Sequence, residues 1–244
     1  MFRYAQTNLQ LYRQLAAEGY GDAETAAVVR AYEVGLRLFP GTFRGSGKPF
    51  LAHLVGTASV LASLRARAPL LAAGLLHAAY SHGEFGNGWR GMSEPKRRVI
   101  REAVGDEVED LIARYTRLPW RRATIPDILA RVDALTLIER DVLILRLANE
   151  LEDHLDLGIL YLEDAPRRRD FLQRDLPAAV EMAERLGVPA LATALAEAFD
   201  ETAGGRIAAG LQRAHPESYR IPFASHRLRL RVALSHLLAR HPWR

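Results

Sequence analysis

The sequence predicts an all-α protein, a helical bundle with additional C-terminal helices, and three observations carry that expectation. Apolar residues recur at three- and four-residue spacing along almost all of the 244-residue chain. Proline and glycine punctuate those stretches at Pro40-Gly41, Pro49 and Pro126, where a helix must stop or can start. Only "HRLRLRV" (226–232) alternates as a strand does, and the leucines beyond it return to helical spacing, so it too is assigned to a helix.

Taken in order, the first periodic segment is 22–39, "DAETAAVVRAYEVGLRLF", with Asp22 as its expected cap. Its stripe runs through Ala26, Val29, Tyr32 or Glu33, Leu36 and Phe39. A polar loop, "GTFRGSGK", leads to Pro49 at a helix start, where its missing N–H is no loss. Helices are expected over 49–65 and 68–80, then a glycine-rich loop (81–93), then helices over 94–105, 106–118 and near 127–133. The longest, 136–158, is expected to close on Gly158 as a C-terminal cap. Further helices are expected over 160–173, 175–186, 189–202, 204–214 and 223–241.

Composition excludes several classes. There is no cysteine, so there is no disulfide framework and no thiolate ligand or nucleophile; any metal must be held by His, Asp, Glu or Asn. No apolar stretch approaches the roughly 18–20 residues that span a bilayer, and no membrane association is expected. The start lacks a basic segment followed by an apolar one, so a cytoplasmic location is expected. Charge is uneven: residues 203–244 carry +7 and residues 1–202 carry −3. The basic tail, with Arg227, Arg229 and Arg231, has few aromatic residues for stacking on bases, so intramolecular packing is expected of it rather than nucleic-acid binding.

Four segments belong together: "FRGSGKPFLAH" (43–53), "LLHAAY" (75–80), "VGDEVEDLIARYTRL" (104–118) and "RDVLILRLANELEDHLDLG" (140–158). Their order and spacing resemble the hydrolase domain of RelA/SpoT-type alarmone enzymes, a member of the HD superfamily of helical metal phosphohydrolases. The resemblance covers about residues 22–158 and implies an HD-domain-like core over 1–158, with 159–244 as a helical extension packed on it. It also implies four metal-ligand positions, which fall here on His53, His77, Ala78 and Asn149. Two family aspartates are thus replaced, and the family's acidic pair falls on Ser81 and His82. Arg44 matches the loop arginine that in the family lies against the nucleotide base, and Lys48, Pro49 and Phe50 complete a family-like loop.

Two imidazoles and an amide oxygen offer a divalent ion little anionic compensation, so no cofactor is expected, or at most weakly held Mn or Fe. If a metal is held, His53, His77, Asn149 and Asp153 are its expected ligands, since Asp153 lies four residues after Asn149 on the same helical face. Glu84 or His82 could supply a donor from the loop, and His154 is less well placed. Taken singly, His53 or His77 reads as a core-edge histidine bonded to a carbonyl, and Tyr80 as a residue with its hydroxyl at the rim of the core. Three readings stay open. One is a metal-free pocket for a small anionic or nucleotide-like molecule, bound by Arg44, Lys48 and Asn149, with His53, His77 and Tyr80 as catalytic candidates if it is an enzyme. Another is an active metal-dependent phosphohydrolase with substitute carboxylates. The last is a non-catalytic interaction or regulatory protein.

Overall fold

A computed structural model describes residues 3–162, 165, 177–211 and 218–221. The chain opens with α1 (Asn8–Glu18), which the periodicity above does not include, although its signals are local. Thr7 and Gln10 form a capping box, Leu11 and Leu15 are buried one turn apart, and Gly19 closes the helix in the left-handed conformation. Next comes α2 (Asp22–Leu38), whose N-cap is Gly21 and not Asp22; Glu24 reaches back to the Gly21 N–H at 2.9 Å. Its buried face is Val28, Ala31, Val34 and Leu38, and of the predicted stripe only Phe39 is buried. The helix is apolar on two adjacent stripes, and contact with α4 (Ala68–Leu76) selects the second.

α3 (Phe50–Ser63) and α4 are apolar nearly all round, the composition of helices buried on every side. They pack on each other at the centre, with α1, α2 and α7 (Asp106–Arg117) around them and α9 (Leu137–His154) across α3. The predicted 68–80 helix is interrupted at His77-Ala78 and resumes as α5 (Ala79–His82). The interruption coincides with the His77 imidazole bonding the Gly74 carbonyl at 2.8 Å. Between these elements and α9 lie α6 (Glu94–Val104) and α8 (Ile125–Ala130).

α9 stops at His154, short of the predicted 158; Leu157 takes the left-handed conformation and Gly158 begins a 3₁₀ turn, Gly158–Tyr161. Residues 177–185 are helical (α10), and α11 (Pro189–Gly204) packs on α9. The expected 204–214 helix is reduced, among the described residues, to a 3₁₀ turn, Ala209–Leu211. Most of the predicted 160–173 helix and all of 223–241, with Arg227, Arg229 and Arg231, lie outside the described residues. Among the described residues the one sheet is a two-residue antiparallel pair, β1 (Thr42–Phe43) with β2 (Tyr219–Arg220), and the protein is all-α. No helix among the described residues is long and apolar enough to cross a membrane.

One buried ion pair ties α5, α6 and α7 together. Glu109, 1% exposed, accepts from the Tyr80 hydroxyl at 2.7 Å and from Arg97 Nε and Nη2 at 2.8 and 2.7 Å. Burial pushes its carboxyl up, but the Arg97 and Tyr80 donors outweigh it and hold it below the usual range. A carboxylate so depressed stabilises the fold at pH above its unfolded value, and that contribution is lost as pH falls through the folded value. Glu109→Gln should therefore cost about 3 kcal/mol at neutral pH. Urea denaturation should show wild type and variant converging in acid; a gap that persists there would exclude the ion pair as its source.

Candidate active site

The site is built where the loop before α3, α3 itself, the α4–α5 break and the end of α9 converge. In the loop, the Arg44 N–H donates to the Lys48 carbonyl and the Gly47 N–H to the Arg44 carbonyl, both at 2.8 Å, with Gly47 at φ +91. That positive φ favours glycine, and the turn it closes sets Arg44 and Lys48 side by side. Both cations reach α9: Arg44 pairs with Asp153, and Lys48 with Glu152 and, at 3.0 Å, with Asp156. The Arg44 guanidinium also lies 5.8 Å over the Phe50 ring.

Glu152 is the group that the sequence reading passes over. It is 1% exposed and its carboxyl meets His53 Nδ1 as well as Lys48. Room for it comes from Gly56: a Cβ there would lie 2.5 Å from Glu152 Oε1. Two signals were in the sequence, a glycine inside an otherwise bulky apolar helix and a glutamate three residues after Asn149, but neither names its partner without the α3–α9 contact. Burial pushes the Glu152 carboxyl up, and Lys48, in contact with it, pulls it back toward the ionised form. Burial, with Arg44 next, pushes His53 down to about 3. Asp153 is also buried, which raises its carboxyl, yet Arg44 and further cationic neighbours hold it well below the usual range.

His53 and His77 meet with ring centroids 5.3 Å apart, and His77 packs 5.0 Å from Tyr115. Since a carbonyl can only accept, His77 Nδ1 carries the hydrogen given to Gly74, and Nε2 keeps its lone pair; burial, then the neighbouring His53, hold this imidazole neutral. His53 Nε2 and Asn149 Oδ1 are buried with no hydrogen-bond partner among the described residues. Behind Tyr115 stands Arg146, which donates to its hydroxyl at 2.9 Å and pairs with Glu150, a support that no motif announced.

The structure thus brings Arg44, Lys48, His53, His77 and Asp153 into one chain of contacts, with Asn149 one turn before Asp153. It does not bring in the other candidates. The Tyr80 hydroxyl is committed to Glu109. Glu84 pairs with Arg220 at 2.7 Å. His82 Nδ1 meets Ser81 Oγ at 2.9 Å, its ring near Phe50. His154 turns to Thr202 on α11.

His53, Glu152 and Asp153 offer ligand atoms all within 4.8 Å of one another. As arranged, they do not fit a tightly held divalent ion. Ala78 has only a methyl group, Asn149 is uncharged, and Glu152 and Asp153 already carry Lys48 and Arg44 as counter-ions.

Residues 37–119 match the family model described as a domain of unknown function (DUF6817). No curated protein sequence matches the chain. A solved structure, that of a metazoan ortholog of SpoT described as hydrolysing ppGpp and acting in starvation responses, is similar with a TM-score of 0.50. The match has 15% identity and covers 72% of this chain and 95% of that one. The chain has an HD-like helical fold. At this identity the likeness is one of fold.

Because Gly56 makes room for Glu152, Gly56→Ala should force the α3–α9 contact apart and cost about 1–3 kcal/mol. Gly105→Ala is the useful contrast: its Cβ meets nothing within 4 Å, and its cost comes only from φ +93. If Gly56→Ala leaves both thermal stability and the NMR shifts of the His53 ring unchanged, the packing described for Glu152 is wrong.

Proposed function

We propose that the protein binds a small phosphorylated, nucleotide-like molecule in the pocket bordered by Arg44, Lys48, His53, His77 and Asn149, without metal-dependent hydrolysis. The observation that carries this reading is the paired cations of the 44–48 turn. Only Nη2 of Arg44 is engaged by Asp153, and the Arg44 side chain keeps 28% of its surface exposed. A guanidinium has five N–H donors, so those left over can bind phosphate oxygens while Asp153 holds it in place. Neutral His53 and His77 beside them add no positive charge, and His77 Nε2 keeps a lone pair that can accept a hydrogen bond from a ligand hydroxyl. Asn149 would orient the ligand. Tyr80 is assigned to the scaffold, since Glu109 holds its hydroxyl.

The fold likeness to a protein that hydrolyses ppGpp makes guanosine tetraphosphate the first compound to test, with GTP, GDP and pyrophosphate beside it. Titration calorimetry should detect binding by at least one of them. Arg44→Ala and Lys48→Ala should each weaken it about tenfold, the loss expected for a charge-assisted hydrogen bond. No binding by any of the four would overturn the reading.

Metal analysis separates this reading from an active phosphohydrolase with substitute carboxylates. Protein purified without chelators should hold well under one equivalent of Mn, Fe or Zn, and EDTA should leave its melting temperature unchanged. A full, tightly held equivalent would favour the hydrolase instead.

A further inference from the structure

We infer that Arg44 and Lys48 serve as built-in cations, closing over a His53–Glu152–Asp153 cation site that the loop keeps from accepting a metal ion. The inference deepens the metal-free reading above and rests on it. It starts from the geometry of three donors. Ligand atoms of His53, Glu152 and Asp153 lie within 4.8 Å of one another, close enough to share one ion. The cluster is joined through His53 Nδ1, which meets Glu152 and lies 3.5 Å from Asp153 Oδ1 on a side chain buried from solvent.

The carboxylates cannot stay buried alone, because an unpaired charge in the interior is far costlier than a paired one. Something cationic must face them, and in this chain it is the 44–48 turn. The hydrogen bonds across that turn place the two cations at the spacing of consecutive α9 residues, Arg44 on Asp153 and Lys48 on Glu152. Lys48 is anchored a second time by Asp156, in the turn just past the end of α9, so it is held on both sides. Coulomb repulsion then keeps a divalent ion out: any ion approaching Glu152 and Asp153 meets two positive charges already in contact with them. Removing the cations while keeping the carboxylates should turn the same cluster into a metal site.

The test replaces both cations, Arg44→Gln with Lys48→Met, and titrates the full chain with Mn²⁺ and with Zn²⁺ by calorimetry and thermal denaturation. Wild type should show no binding up to millimolar metal. The double variant should bind at least one of the two ions about 100-fold more tightly than wild type, and the ion should raise its melting temperature. A folded double variant that binds neither ion better than wild type overturns the inference. If the double variant is unfolded by itself, refolding by either ion supports the inference and failure of both to refold it overturns it. Adding Glu152→Gln and Asp153→Asn to the double variant should abolish any gained binding; binding that survives would place the metal elsewhere and also overturn it. These outcomes do not depend on whether a nucleotide binds, so a failed ligand screen and a failed metal titration remain separate results.

Discussion

The α3–α9 contact depends on a carboxyl group that has no water to face. Glu152 enters from α9 into the space left by Gly56 on α3, and there it meets His53 from the same helix and Lys48 from the loop before it. Each of these partners is fixed by something else: His53 by its place in a helix buried on every side, Lys48 by the turn around Gly47 and by Asp156. Once Glu152 is seated, the register of α9 against α3 follows, and with it the positions of Asn149 and Asp153.

This arrangement divides the work between two kinds of interaction. The stability of the bundle comes from α3 and α4, whose apolar surfaces are removed from water almost completely, and from the helices laid against them. The buried charges contribute little net stability, since the cost of desolvating them offsets much of their attraction. What they contribute is definition: three positive and negative pairs that are satisfied in one register and unsatisfied in its neighbours. The same holds on the other side of α4, where Glu109 joins Tyr80 and Arg97 and so ties three helices at one carboxylate.

The fold holds two buried imidazoles in contact, with the Arg44–Asp153 and Lys48–Glu152 pairs beside them. Both imidazoles are held neutral by burial, and His77 has its Nδ1 hydrogen committed to a backbone carbonyl. The single-residue expectation for His77, a histidine bonded to a carbonyl at the edge of the core, is the geometry its side chain takes. The carbonyl orients the ring, and the orientation leaves Nε2 available.

Much of this was legible before any coordinates. The all-α class followed from helical spacing, and the residues of the 44–48 loop, His53, His77, Asn149 and Asp153 were marked by their segments. Local chemistry also determines the capping box at Thr7 that starts α1, a signal that the spacing of apolar residues does not carry. What the tertiary structure decided was which of two apolar stripes α2 buries, where α4 breaks and α9 stops, and which carboxylates face the cations. Spacing along one helix puts Glu152 and Asp153 equally near Asn149's face, and Tyr80, Glu84 and His154 near enough to a histidine motif to qualify. Only packing separates them, because a side chain's partner is set by the element laid across it: Gly56 receives Glu152, Arg44 takes Asp153, Glu109 holds Tyr80, Arg220 draws Glu84 away, and α11 claims His154.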